Sequence, residues 1–159
     1  MSRRWPLRLI ALALVCALSG AQSAHAQSTR VAIVVHPSTP VRNLTLDQLR
    51  RVFLAEQQYW PDGTRITLLV RAPQAPERAV VLARVYRMDE EQYRQYWVGK
   101  MFRAEVASGP QIVFDAHMAQ ELVSEIRGAI TFVPASDVTA NARVLRIDGK
   151  LPGEAGYPL

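Results

Sequence analysis

The sequence predicts an α/β protein, a three-layer domain with a mostly parallel or mixed sheet of about five strands. Two observations lead to this fold class. Unbroken apolar runs such as VAIVV (31–35) and ITLLV (66–70) are typical of strands that are buried on both faces. Amphipathic segments with helix-capping signals lie between the runs, and strands that alternate with helices build a mostly parallel sheet with helices on both sides.

Three further runs complete the predicted sheet. IVF (112–114) and AITFV (129–133) are short buried strands, whereas RVLRI (143–147) alternates and suits an edge strand with one face in water. We expect VAIVV and ITLLV to be the central strands.

Four helices are predicted from their capping residues and their apolar faces. The residues that mark the helix starts are Thr45 with Gln48, Pro76, Asp89 with Gln92, and Asp115. We expect the following side chains to point inward: Leu46, Leu49, Val52 and Phe53; Tyr93, Tyr96, Trp97 and Met101; Met118, Leu122, Val123 and Ile126. Gly128 holds a position that commonly closes a helix.

Residues 1–26 have the composition of a secretory signal peptide. A basic start precedes the apolar run LIALALVCALSG (9–20), and Ala24 with Ala26 makes an A-x-A-like cleavage site. We therefore expect a single exported, periplasmic domain over 27–159, with an uncleaved membrane anchor as the alternative. Arg3 and Arg4 leave the twin-arginine route open beside the general secretory route. Cys16 is the one cysteine, so no disulfide is expected in the domain.

Charge and motif content exclude several function classes. Residues 27–159 carry 16 basic and 14 acidic side chains, a net charge of +2, with no basic stripe suited to nucleic acid. The sequence has no G-x-S-x-G, no phosphate-cradling G-x-x-x-x-G-K, no G-x-G-x-x-G and no metal-spaced His/Cys set. We expect a non-enzymatic protein without a cofactor, a metal or a nucleic-acid partner.

A small anion site is predicted after the second strand. Arg71 ends that strand and a helix begins near Pro76, so a guanidinium and backbone N–H groups are expected to converge on one oxyanion. The alternative is that Arg71 pairs with an acid or lies on the surface. The predicted ligand-binding residues are Arg71, Ser38, Thr39, Glu77 and Arg78.

Two stretches resemble a known family. LTLDQLRRVFLAEQQYWPDGTRITLLVR (44–71) and GAITFVPASDV (128–138) resemble the phosphate-type substrate-binding proteins of ABC transporters, which are type 2 periplasmic binding proteins. Members carry a Leu-rich helix, a Phe-Leu-Gly and Trp turn, a strand that runs into Arg, and a later Gly-Ala-Ile-Gly-Tyr-Val strand. The resemblance covers roughly residues 31–149 and implies a small oxyanion ligand such as phosphate.

The resemblance also implies a weakened site and a compact form. Ala75, Pro76 and Glu77 stand where members have Ser-Gly-Thr, and Ala55 replaces the glycine of the Leu-Gly turn. The 133 residues of 27–159 make about one of the two lobes of full members. Two functions remain open. One is weak binding of a small oxyanion for an ABC transporter, and the other is an interaction protein that lost solute binding and docks onto a membrane sensor or transporter.

Overall fold

The computed structural model describes residues 29–159, so the predicted signal peptide lies outside the described residues. The strands are β1 (Val31–Val35), β2 (Asn43–Leu44), β3 (Thr67–Arg71), β4 (Gln111–Val113), β5 (Ala129–Pro134), β6 (Arg143–Val144) and β7 (Arg146–Ile147). The helices are α1 (Leu46–Phe53), α2 (Pro76–Val81), α3 (Glu90–Phe102) and α4 (Ala116–Glu125). A π-helical segment, Leu82–Tyr86, continues α2, and a 3₁₀ turn, Ala135–Asp137, follows β5.

The main sheet has five strands in the order β4-β3-β5-β1-β6. β3 is parallel to β4 and to β5, whereas β1 is antiparallel to both β5 and β6. Four strands of this sheet therefore point one way and β1 points the other way. The predicted mostly parallel α/β sheet and the interior positions of β1 and β3 are confirmed.

Helices cover both faces of the sheet. Ile33 and Val35 belong to a core shared with α1, α2 and α3, while Ala32 and Val34 belong to a second core shared with α4. All five residues of β1 are buried. Because successive side chains of a strand point to opposite faces, an unbroken apolar run is what a strand between two helical layers requires.

The turn between α1 and β3 is fixed by a tryptophan and a glycine. Trp60 donates its indole N–H to the carbonyl of Gly128 over 3.0 Å. Gly128 has φ +82°, and a Cβ atom there would lie 2.2 Å from the carbonyl oxygen of Arg65. Any other residue at this position would push the start of β5 away from the segment that leads into β3.

The capping predictions hold. Thr45 with Gln48 and Asp89 with Gln92 form reciprocal capping boxes on α1 and α3. Asp115 accepts hydrogen bonds from the backbone N–H groups of His117 and Met118, both at 2.9 Å, at the start of α4.

Four residues that the sequence predicts to be buried are on the surface instead: Met101, Met118, Ile112 and Phe114. Met101 and Met118 are about half exposed, and the exposed Phe114 lies beyond β4. In α4 the small side chain of Ala119 lies against the sheet, which turns the apolar face by one residue and moves Met118 outward. In α3 the buried positions are Tyr93, Trp97 and Lys100.

The predicted edge strand 143–147 is two strands. β6 pairs with β1 at the edge of the main sheet, whereas β7 pairs in parallel with β2 in a separate two-stranded sheet. Leu145, between them, is buried and donates its N–H to the carbonyl of Ile33. Buried Leu145 and Ile147 still alternate with exposed Arg146 as predicted, but the chain pairs with β1 before Leu145 and with β2 after it.

One prediction concerns Ala104, which follows α3 with φ +54° and is exposed. An L-residue in this left-handed conformation is strained, whereas glycine is not. We expect Ala104→Gly to raise the free energy of unfolding by about 0.5–1 kcal/mol in urea denaturation. This value is what remains after subtracting the cost of the extra conformational entropy that glycine gives the unfolded chain. Ala107→Gly, at an exposed position without a positive φ, is the control and should lower stability.

Candidate functional site

Arg71 ends the interior strand β3 and is almost completely buried. Its Nε donates to Oε1 of Glu77 over 2.6 Å, and its Nη1 donates to the carbonyl of Val113 in β4 over 3.0 Å. Pro76 begins α2 and places Glu77 in the first helical turn, facing the end of β3. The guanidinium is thus fixed by a carboxylate from the next helix and by a carbonyl from the next strand.

Arg78 is buried beside this pair. Its Nη1 donates to the carbonyl of Arg71 over 2.6 Å, and its Nε and Nη2 donate to the two carboxylate oxygens of Glu90 over 2.5 and 2.9 Å. The guanidinium also lies 4.7 Å from the ring centre of Tyr93. Burial opposes the charged form, but the hydrogen bonds to Glu90 prevail, and the pKa of Arg78 is raised.

Both guanidinium groups of the predicted site are therefore neutralised by carboxylates of the same chain. Glu77 is only 1% exposed, and its Oε2 has no hydrogen-bond partner among the described residues. The Glu77 carboxylate lies where the sequence predicted a free oxyanion. The alternative prediction, in which Arg71 pairs with an acid, describes this geometry.

Ser38 and Thr39 are not brought to Arg71. β1 is antiparallel to β5, and β5 is parallel to β3. Val35, at the end of β1, therefore pairs with Ile130, and Ile130 pairs with Leu68 near the start of β3. The loop after β1 is therefore at the opposite end of the sheet from Arg71. The prediction that Ser38 and Thr39 join Arg71 in one site is wrong because it requires β1 to run parallel to β3.

The loop after β1 forms a local turn. The Nδ1 of His36 receives the backbone N–H of Ser38 at 3.0 Å and lies 2.8 Å from its hydroxyl. Thr39 is buried, and its hydroxyl has no partner within residues 29–159.

The backbone donors of the predicted site are also partly in use. The N–H of Arg78 donates to the carbonyl of Ala75 over 3.0 Å.

Sequence reasoning missed Glu90 as a partner of Arg78, because an acid in the first turn of α3 is favoured by the helix dipole alone. It identified Asp115 only as the cap of α4; the pKa of Asp115 is lowered by the hydrogen bond from Met118 and, more weakly, by the charge of Arg71.

Residues 29–159 contain no group of three or more His, Cys, Asp or Glu side chains placed to hold a metal ion. They also contain no helix that is long and apolar enough to cross a membrane.

A second prediction measures the Arg71–Glu77 ion pair. Glu77→Ala should lower the free energy of unfolding by about 3 kcal/mol, because it leaves a buried guanidinium without its counter-charge. The double variant Arg71→Met/Glu77→Met should lose much less, since an apolar pair needs no compensating charge. Urea denaturation measures both changes. Glu91→Ala, which breaks the exposed pair with Arg94, is the control and should cost less than about 0.5 kcal/mol.

Equal losses in the Glu77→Ala variant and in the double variant would show that Arg71 tolerates an unpaired charge, contrary to this interpretation.

Comparisons with known proteins identify the fold. No protein-family model matches the sequence, and no curated protein matches it. Solved structures do match. They include a phosphate ABC transporter substrate-binding protein from Clostridium perfringens with bound phosphate (TM-score 0.61, 20% identity), an ABC-type phosphate transport receptor from Vibrio cholerae (0.62, 20%) and PstS from Borrelia burgdorferi (0.60, 12%).

The matches cover 76–77% of this chain and 45%, 48% and 49% of those three chains. The chain thus spans about half the length of each of these structures. The predicted resemblance in fold is confirmed, and the protein has the fold of about half of a phosphate ABC transporter substrate-binding protein.

Proposed function

We propose that this protein is an exported, periplasmic, non-enzymatic docking protein that uses the fold of one substrate-binding-protein lobe to contact a membrane transporter or sensor. It does not carry free phosphate at Arg71. The observation that supports this proposal is the Glu77 carboxylate, which occupies the Nε of Arg71 in a buried ion pair.

A free phosphate ion that used the Nε of Arg71 would have to displace that carboxylate. Two anions placed roughly 4 Å apart repel each other by about 4 kcal/mol at an effective dielectric constant of 20. Moving Glu77 aside instead would leave its carboxylate buried without a counter-charge, which is also costly. Arg78 offers no substitute, because Glu90 holds its guanidinium with two hydrogen bonds.

Exposed aromatic side chains support a docking role. Phe102, at the end of α3, is 91% exposed, and Phe114, next to the edge strand β4, is 71% exposed. Ile112, on the same edge strand, is also exposed. Aromatic and large apolar side chains in water are favourable contact points for another protein.

The second candidate is the weak oxyanion receptor predicted from the sequence. The observation in its favour is the likeness in fold to a structure that holds phosphate. With Glu77 in place, such binding would have a dissociation constant on the order of a millimolar or weaker.

An enzymatic role has little support. The contact between Ser38 and His36 is the only Ser–His hydrogen bond within residues 29–159, and it closes a two-residue turn. The same His36 nitrogen also receives the N–H of Ser38, and no carboxylate in this part of the chain hydrogen-bonds the imidazole. A serine nucleophile needs a base that is oriented by a third group.

The third prediction separates the two candidates. Calorimetry of residues 27–159 with phosphate and with sulfate, up to about 10 mM, should show no saturable heat, because Glu77 already occupies Arg71. Arg71→Met should give the same flat titration. Saturable binding that is lost in Arg71→Met would establish the receptor and refute the docking role.

A photo-crosslinking residue at position 102 tests docking directly in cells. It should give a membrane-protein product whose yield is the same in high and low phosphate. Position 125, an exposed site on α4, is the control. Equal labelling from positions 102 and 125, or no membrane-protein product, would contradict docking at Phe102.

A further inference from the structure

We infer that Glu77 is a tethered ligand. Its carboxylate fills an anion cradle built around Arg71, and the cradle accepts a free small carboxylate once the Glu77 carboxylate is removed. This inference rests on the proposed function, in which the site is permanently occupied from within the chain.

The cradle has supports other than Glu77. The Nη1 of Arg71 donates to the carbonyl of Val113, and the carbonyl of Arg71 receives Nη1 of Arg78. Both contacts involve groups that a change at position 77 leaves in place. β3 is also held between β4 and β5. The guanidinium should therefore keep its position and direct its Nε into the space that the Glu77 carboxylate leaves.

The tether holds the carboxylate in an incomplete contact. A free carboxylate can bind a guanidinium through two parallel hydrogen bonds, with Nε and Nη2 as one of the available edges. Here only Oε1 of Glu77 accepts a hydrogen bond, and Oε2 is buried without a partner among the described residues. The Nη2 of Arg71 likewise donates no hydrogen bond within residues 29–159. A free carboxylate of the same size can rotate so that its two oxygens accept hydrogen bonds from both Nε and Nη2 of Arg71.

The size of the ligand follows from the atoms removed. Glu77→Ala deletes one methylene group and the carboxylate, which are the heavy atoms of acetate. Glu77→Ser deletes only the carboxylate group, which has the heavy atoms of formate. The chemical class that fits is therefore a small monocarboxylate.

The fourth prediction is a rescue by acetate. In thermal unfolding of Glu77→Ala, 200 mM sodium acetate should raise Tm by roughly 5 °C over the same concentration of sodium chloride, and the rise should saturate. The natural sequence should show no such difference, because its cradle is full. Arg71→Met/Glu77→Ala should show none either, since the cradle is gone. Phosphate, which is one heavy atom larger than acetate, should give a smaller rise.

Three outcomes would overturn the inference. They are an absent acetate effect in Glu77→Ala, an equal effect in Arg71→Met/Glu77→Ala, and a larger effect from phosphate than from acetate. If Glu77→Ala does not fold, Glu77→Ser with formate takes its place, and failure of both variants to gain stability from their carboxylates overturns it. Phosphate binding by the natural sequence would refute the proposed function, whereas a failed rescue refutes only the tethered ligand.

Discussion

The buried ion pair between Arg71 and Glu77 is the contact on which this end of the sheet depends. Both side chains are removed from water. An isolated charge is costly in the protein interior, so each side chain needs the other. The pair links β3 to α2, the second guanidinium hydrogen bond links β3 to β4, and Arg78 extends the connection to α3 through Glu90. The ion pair therefore joins the two ends of the loop between β3 and α2.

The same pair favours one function over the other. An oxyanion receptor needs guanidinium N–H groups that are available to donate to its ligand. Here the counter-charge of the Nε of Arg71 is part of the chain, and the Glu77 side chain that carries it is buried. The likeness to phosphate-binding structures thus concerns the scaffold. Phe102 and Phe114 are exposed aromatic side chains of this scaffold, and each is a favourable contact point for a protein partner.

Much of the fold could be predicted because its signals are local. The apolar runs of β1 and β3 and the capping boxes at Thr45 and Asp89 report on single elements. The direction of β1 could not be predicted, because an interior strand is buried on both faces whichever way it runs. That one undetermined direction is why Ser38 and Thr39 were expected beside Arg71 and lie at the other end of the sheet.

The site was predicted in part. Arg71 was identified from its place at the end of a buried strand, and its alternative role as the partner of an acid fits the structure. The sequence places Glu77 among the predicted ligand-binding residues, and the structure shows its carboxylate in direct contact with Arg71. The partner of Arg78 is twelve residues away across a π-helical segment, a separation that has no periodic signature in the sequence.

The state of the Arg71 Nε–H tests this account most directly. In a ¹⁵N NMR spectrum of residues 27–159, the Nε–H signal of Arg71 can be assigned by its loss in Arg71→Lys. If Glu77 holds this group, the signal should stay unchanged as phosphate is added to about 10 mM. A saturable shift of that signal, with the other arginine signals unmoved, would show that phosphate reaches Arg71 and would contradict the account.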